Sequence, residues 1–222
     1  MNALKIAATG MAAQQMRVDV ISNNIANMST TAYQPRVAEF ADLVYQQYPT
    51  PGTLTSQTGS TVPAGNQIGM GVRPTTVSME MVQGALSETG GDFDLAVTGK
   101  GFFEIIQPNG DSAFTRDGKF YQNADGLLVN SEGNALADQV TIPNDAQRIT
   151  ISPDGEVVAY FGNAAAGQAI GNISLNVFAN PKGLEALGGN LYRETEASGA
   201  PINGTAGSEG FGVMRQGYLD DS

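Results

Sequence analysis

The N-terminal part of the chain carries apolar side chains at alternating steps of three and four. The repeat runs from residue 4 to residue 28, and seven of its eight positions are apolar: Leu4, Ala7, Met11, Gln14, Val18, Ile21, Ile25 and Met28. This spacing puts the side chains on one stripe of a helix, in the heptad pattern of a coiled-coil seam. It predicts a helix over about residues 2 to 28, roughly 40 Å long.

This stripe, which we call the seam, needs a partner. The helix could pack on its own domain or on helices of other chains. The rest of the sequence shows no second long helical pattern, which favours the second alternative. We therefore predict packing between chains through Leu4, Ala7, Met11, Val18, Ile21, Ile25 and Met28. We also expect residues 1–36 to be poorly ordered in an isolated chain, because an unpaired seam leaves apolar surface in water.

Residues 46–76 show almost no apolar periodicity and are rich in Gly, Pro, Ser, Thr and Gln. This composition is typical of a flexible linker or of an extended ordered loop. The stretch lacks acidic residues and lysines, which would suit a segment pressed between subunits, where charge is costly to bury. Both interpretations remain open at this point.

Short β-like runs separated by glycine turns begin at residue 93. The predicted strands cover residues 93–97, 101–106, 112–116, 119–122, 127–130, 148–152 and 156–161, followed by 170–178. The turns between them are expected to use a positive-φ glycine in Asn109-Gly110, Asp117-Gly118, Asp125-Gly126 and Asp154-Gly155. Residues 180–188 predict one short helix closed by Gly188.

These patterns predict a mainly β protein with an N-terminal α-helix, in which short antiparallel strands form a body on a helical stalk. We expect four segments. They are a heptad helix over residues 1–36, an extended linker arm and stalk over 37–92, a β-rich outer domain over 93–190, and a segment returning toward the stalk over 191–222.

The composition excludes most catalytic and metal-binding chemistry. The 222-residue chain has no Cys and no His, which excludes thiolate nucleophiles, thiolate or imidazole metal sites and the usual general base. Its net charge of −11 disfavours nucleic acid. The Asp-Gly pairs lack the spacing of a calcium loop, and Asp92 with Asp94 predicts a solvated strand edge. We therefore predict no catalytic residues, no cofactor and no metal site, and no small-molecule substrate.

One stretch at the end of the predicted helix resembles a known signature. Residues 23–33 match the N-N-[LI]-A-N-x-x-T-x-[GA]-[FY] pattern of the flagellar rod and hook axial proteins, with Asn23, Asn24, Ala26, Asn27, Thr30 and Tyr33 at its defined positions. Further agreement lies at residues 40–43, 99–103, 115–120, 190–192 and 216–219. Within the family, residues 46–74 are similar to an insertion of the distal rod protein that the hook protein lacks.

The resemblance implies a structural role without chemistry. Such a subunit polymerises helically into the rigid drive shaft between motor and hook. Its partners are copies of itself, the proximal rod and hook proteins, and the peptidoglycan-ring and outer-membrane-ring bushing. It is exported by the flagellar type III apparatus without a cleaved signal peptide, and Phe40 with Val44 is similar to the family's export recognition element. The resemblance places it in the basal body, from periplasm to outer membrane.

The family's C-terminal helix is missing from this chain, which ends at Ser222, so we expect no polymer from this chain alone. The alternative within the family is a proximal rod or hook protein. The alternative from another class is a secreted β-rich binding or sugar-degrading domain, which the absence of Trp disfavours.

Overall fold

A computed structural model describes residues 2–48, 66–162 and 166–221. This described part consists mainly of β-strands with one long α-helix at the N-terminus, which confirms the predicted fold class. The chain divides into two compact units. Unit 1 comprises Met1–Ala26 and Arg36–Glu80, and unit 2 comprises Asn27–Pro35 and Met81–Ser222. These units do not coincide with the four segments predicted from the sequence.

Unit 1 is a helix with two strand pairs. Its elements are α1 (Asn2–Ala26), β1 (Arg36–Asp42), β2 (Tyr45–Tyr48), β3 (Asn66–Gly69) and β4 (Val72–Met79). Strand β1 pairs antiparallel with β4, and β2 pairs antiparallel with β3. The prediction of irregular structure over 46–76 is therefore wrong for the described residues at both ends of that stretch, while residues 49–65 lie outside the described part.

The helix packs on the β1–β4 pair through the side that carries its less exposed side chains. Ala13 is the buried residue of this face, and the Thr9 hydroxyl accepts a hydrogen bond from the Val72 amide at 3.4 Å. Near the helix end, the Asn24 side chain donates to the Arg36 carbonyl at 2.8 Å and accepts from the Arg36 amide at 3.0 Å. The expectation that the helix packs only on other chains is therefore wrong for this face.

Unit 2 holds the remaining described strands. They are β5 (Ala85–Glu88), β6 (Leu95–Thr98), β7 (Phe103–Ile106), β8 (Ser112–Thr115), β9 (Tyr121–Gln122), β10 (Leu128–Val129), β11 (Ala135–Leu136), β12 (Ala146–Ile151), β13 (Glu156–Phe161), β14 (Gln168–Asn172), β15 (Ser174–Val177), β16 (Glu185–Gly188), β17 (Leu191–Arg193), β18 (Ile202–Thr205), β19 (Val213–Gln216) and β20 (Tyr218–Asp221). Seven of them form an antiparallel sheet in the order β16-β17-β8-β7-β11-β10-β9, and β12-β13-β14 form a second sheet.

The core of unit 2 follows from strand alternation. In β7, Phe103 and Ile105 are completely buried, while the residues between and after them are half-buried. The Phe103 ring meets the Phe120 ring edge to face, with 5.3 Å between centroids. Leu95, Val157 and other buried aliphatic side chains complete this cluster. Every run predicted as a strand between residues 93 and 161 overlaps a strand of this body.

The predicted helix over 180–188 is wrong. The chain forms a short 3-10 turn at Pro181–Gly183 and then strand β16, which pairs with β17. Gly188, Gly189 and Asn190 all have positive φ, at 98°, 58° and 58°. Consecutive residues of this kind reverse the chain in a tight hairpin instead of closing a helix.

The turn prediction holds at three of its four glycines. Gly110, Gly126 and Gly155 have φ of 86°, 83° and 93°, as expected for tight turns. Gly118 does not have a positive φ, so the prediction is wrong there. This glycine instead allows the backbone to pass close to Leu95, because a Cβ at this position would collide with the Leu95 carbonyl oxygen.

Candidate assembly surface

The predicted seam is a band of exposed apolar side chains. Their exposure ranges from 47% for Ile21 to 75% for Leu4, with Met11, Val18, Ile25 and Met28 between these limits. Ala7 is also exposed. Met28 lies beyond the end of α1 at Ala26, so the predicted helix is two residues too long. The other predicted seam positions lie together on the helix.

The two faces of α1 explain why the seam stays exposed in one chain. The face toward β1 and β4 carries Thr9, Ala13 and Asn24, whose small or polar side chains allow close contact with the strands. The half-buried side chains of Ile6, Met16 and Val20 lie on this side of the helix as well, whereas the seam residues are exposed on the other side. The helix carries only three charged residues, Lys5, Arg17 and Asp19, and the Arg17 guanidinium sits 5.7 Å from the Phe40 ring centroid. A contiguous apolar surface with so little charge is typical of a protein–protein interface.

The signature residues build the end of the helix and the turn after it. Asn23 and Asn24 lie in the last turn of α1, and Ala26 is its final residue. The Asn27 carbonyl accepts the Thr30 amide at 2.9 Å, and the Thr30 carbonyl accepts the Tyr33 amide at 3.2 Å. The Thr30 hydroxyl also donates to the Asn27 side-chain oxygen at 3.4 Å. The signature therefore specifies a local turn, and Asn24 holds the helix end on β1.

The rest of unit 2 binds this turn through residues to which the sequence analysis assigned no role. The Ala32 amide donates to the Asp220 carbonyl at 2.8 Å, and Ala32 is 1% exposed with a φ of 57°. The Asn190 side chain donates to the Thr31 carbonyl at 2.7 Å. The Val82 amide donates to the Gln34 side-chain oxygen at 3.1 Å. Asn190 and Asp220 are more than 150 positions away in sequence, so only the family agreement near 190 and 216–219 pointed to them.

Phe40 and Val44 do not share a helix face. Phe40 lies within strand β1, and Val44 follows that strand with 82% of its surface exposed. Their role in export stays a prediction. Next to Val44, a hydrogen bond to the Asp42 carboxylate raises the pKa of the Tyr45 phenol.

The described part of the chain was predicted to hold no metal and no catalytic residues. Within it, no group of three or more His, Cys, Asp or Glu is placed to hold a metal ion. No described helix is long and apolar enough to span a membrane. Burial raises the pKa of the Asp117 carboxyl, while the Lys119 amide and ammonium lower it. The Asp117 side chain accepts the Lys119 amide at 3.1 Å.

Comparisons with known proteins cover both units. Residues 4–34 match a family model described as flagella basal body rod protein. Residues 96–159 match the model of the flagellar hook protein FlgE/F/G D1 domain. Among solved structures, the Helicobacter pylori flagellar hook protein FlgE2 aligns with 84% of this chain and 43% of its own, at 16% identity and a TM-score of 0.29. That score is too low to carry an argument.

Relatives match along the whole chain. The flagellar basal-body rod protein FlgG of Agrobacterium fabrum is 44% identical over 222 residues, covering 100% of this chain and 85% of the relative. FlgG of Caulobacter vibrioides gives the same identity and coverage. FlgG of Bacillus subtilis is 36% identical, covering 96% of this chain and 81% of the relative. The exposed seam, the signature turn and this full-length similarity agree, and the chain belongs to the flagellar basal-body rod protein FlgG family.

Proposed function

We propose that the chain is a structural subunit of the flagellar distal rod, which polymerises helically into the rigid shaft that transmits torque from motor to hook. The observation that carries this proposal is the exposed seam on α1 in a chain of the FlgG family. A rod subunit must bury such a stripe against its neighbours, and a heptad seam is the pattern that helices use for this. The proposal makes the chain a structural protein without catalytic residues or cofactor.

The seam can supply a large share of the assembly energy. Complete burial of one such side chain is worth about 1.5 to 3 kcal/mol. Leu4 is 75% exposed, Met11 68%, Val18 58% and Ile25 64%, so each can still gain roughly 1 to 2 kcal/mol on assembly. In this proposal Leu4, Ala7, Met11, Val18, Ile21 and Ile25 face neighbouring helices in the inner tube of the shaft.

Charge suggests which part of the chain faces outward. Residues 37–222 carry 21 acidic and 8 basic residues, whereas residues 1–36 carry one acidic and three basic residues. We place the acidic β-rich part on the outside, toward solvent and the ring bushing, since burying a surplus of like charge would be costly. The proximal rod and hook proteins continue the same axis in this proposal, and the type III apparatus exports the chain to the basal body.

Residues 46–74 give the proposal a mechanical element. Strands β2 and β3 pair residues 45–48 with residues 66–69, and we infer that the segment between these strands contacts neighbouring subunits and resists their sliding. Replacing residues 49–65 by a two-residue Asn-Gly turn keeps the strand pair. We expect softer, curved rods from this variant in electron micrographs. Rods as straight as those of the parent would show that the segment is not the stiffening element.

The function is tested by assembly in cells that lack their own FlgG. Because we expect no polymer from this chain alone, the assembly tests use the chain with a C-terminal heptad helix added after Ser222. We expect this protein in isolated hook–basal bodies, and we expect Val18→Glu with Ile25→Glu to abolish its incorporation because two charges enter the seam. Ala12→Glu with Gln15→Glu is the matched control, since both residues are exposed on α1 outside the seam. Equal incorporation of the seam variant and the control would contradict the proposal.

A further inference from the structure

Residues 213–221 form two strands that complete unit 2, and we call them the clasp. Strand β19 pairs with β6, and β20 pairs with β5. Among the described residues, these are the sole strand partners of β5 and β6. Met214 and Leu219 enter the interior, with exposures of 1% and 7%. Without the clasp, β6 would expose a row of unpaired backbone groups beside the fully buried Leu95.

The clasp also ties together stretches that are far apart in sequence. The Gln216 side chain accepts the Ile151 amide at 3.0 Å, and it donates to the Ile149 carbonyl at 3.1 Å and to the Asp92 carbonyl at 2.8 Å. The Gly217 carbonyl accepts the Thr89 amide at 2.9 Å. One amide side chain thus links β12 to the turn before β6, and this link exists only when the clasp is in place.

A buried ion pair lies at the end of the clasp. The Arg116 guanidinium meets the Asp220 carboxylate at 3.2 Å, and their side chains are 8% and 2% exposed. Arg116 also donates to the carbonyls of Val97, Gly99 and Gly101. These carbonyls are neutral, so Asp220 supplies the counter-charge. Arg116 Nε and Asp220 Oδ1 are both buried without a hydrogen-bond partner among the described residues, so charge compensation depends on this one contact.

We propose that docking of the clasp is the step that closes unit 2, and that Asp220 is the positioning residue that makes closure all-or-none. Before docking, Arg116 would bury a cation without its counter-charge, and removing one partner of a buried pair is strongly destabilising. The Asp220 carbonyl also binds the Ala32 amide, so the segment that follows the helix is fixed in the same step. Synthesis proceeds from the N-terminus, so residues 1–212 emerge before the clasp. Unit 2 therefore stays open until the clasp is available.

Hydrogen exchange on the full chain is the first test. We expect Asp220→Asn to accelerate amide exchange of residues 95–98 and of Ala32 on the order of a hundredfold, as for a broken buried ion pair. The matched control is Glu185→Gln, which removes an ion pair of the same type, Arg193–Glu185 at 2.7 Å, whose side chains are 50% and 52% exposed. The control should leave those amides at the parent rate. Exchange at the parent rate in Asp220→Asn would overturn the proposal.

A peptide experiment separates docking from general loss of stability. A chain ending at Gly212 should exchange rapidly at residues 95–98, and a synthetic peptide of residues 211–221 should restore their protection. The Asp220→Asn peptide should bind on the order of a hundredfold more weakly. An Arg215→Gln peptide should bind within about threefold of the parent peptide, because Arg215 is exposed and only stacks on the Tyr218 ring.

Two results of the peptide experiment would overturn the proposal. The first is a chain ending at Gly212 that keeps the parent's protection, since the clasp would then be dispensable. The second is a parent peptide that leaves residues 95–98 unprotected, since docking would then not be the closing step. Both measurements use monomeric chain, so they do not depend on whether the chain assembles into a rod.

Discussion

Ile25→Ala separates the stability of one chain from the stability of the assembly. The substitution removes three side-chain carbons, worth about 0.8 kcal/mol each on full burial. Ile25 is 64% exposed in the single chain, so assembly can bury at most that share. The expected loss in subunit affinity is therefore about 1.5 kcal/mol, or roughly tenfold.

The substitution should hardly change the stability of the folded single chain. Ile25 already faces water over most of its surface, and alanine has the higher helix propensity by a few tenths of a kcal/mol, ~0.4. We therefore expect the free energy of unfolding to stay constant or to rise slightly, while incorporation into basal bodies falls. Both quantities are needed, because a core residue would lower them together.

The assay is competition in cells that express parent and variant with different epitope tags. Quantifying the tags in purified basal bodies gives the incorporation ratio, and denaturant unfolding of the purified chains gives the stability. Gln15→Ala is the control, since Gln15 is exposed on α1 outside the seam and should incorporate like the parent. The reasoning is refuted if Ile25→Ala incorporates as well as the parent, or if it lowers the free energy of unfolding of the single chain by more than about 1 kcal/mol.

Further substitutions test the two units. Gly155→Ala should destabilise unit 2 by more than about 1 kcal/mol beyond Gly110→Ala in denaturant unfolding, because both have positive φ but a Cβ at Gly155 would collide with the Ile173 carbonyl. Asn24→Ala should destabilise unit 1 by about 1 to 2 kcal/mol through two lost hydrogen bonds to Arg36. Asp117→Asn should raise the melting temperature near pH 7, because burial raises the pKa of Asp117. The stability that a raised pKa contributes is present below its ordinary value of 3.8 and is lost as pH rises through the folded value. The gain from Asp117→Asn should therefore vanish in melts at about pH 3.

Elements with a strong local pattern were predictable from the sequence. The helix begins and ends within two residues of its predicted bounds, because its periodicity extends over seven turns' worth of chain and a turn-forming signature follows it. The strands from 93 to 161 other than β11 were also predictable, since alternation and turn glycines agree there. Residues such as Phe103 and Ile105 are buried on one face, as this alternation requires.

Elements whose structure depends on distant partners were not predictable. Residues 185–188 contain Glu-Ala-Leu and favour a helix locally, yet pairing with β17 makes them a strand. The paired strands at 45–48 and 66–69 have little apolar content, so their pairing left no signal in the hydrophobic pattern. The heptad repeat identified the seam but not the second face of α1, where the half-buried Ile6, Met16 and Val20 and the buried Ala13 lie outside that repeat.

The contacts of Asp220 show the same limit at a single residue. Its neighbours Tyr218 and Leu219 belong to a recognisable family motif, but the pairing of Asp220 with Arg116 spans 104 positions. A single sequence contains no information on which of its 11 basic residues would pair with it. The ion pair became visible only from the folded arrangement of β6, β8 and the clasp.

Thiol labelling of Val18→Cys tests most directly whether the seam is the surface through which the chain assembles. The chain contains no native cysteine, so an introduced thiol reports on one position alone. Val18 is 58% exposed in the single chain, and Asp154→Cys, at an exposed turn of unit 2, is the reference. The account predicts that both thiols react rapidly with a maleimide in the purified chain, and that only the thiol at position 18 is protected in isolated basal bodies. Equal labelling of both positions in basal bodies would contradict it.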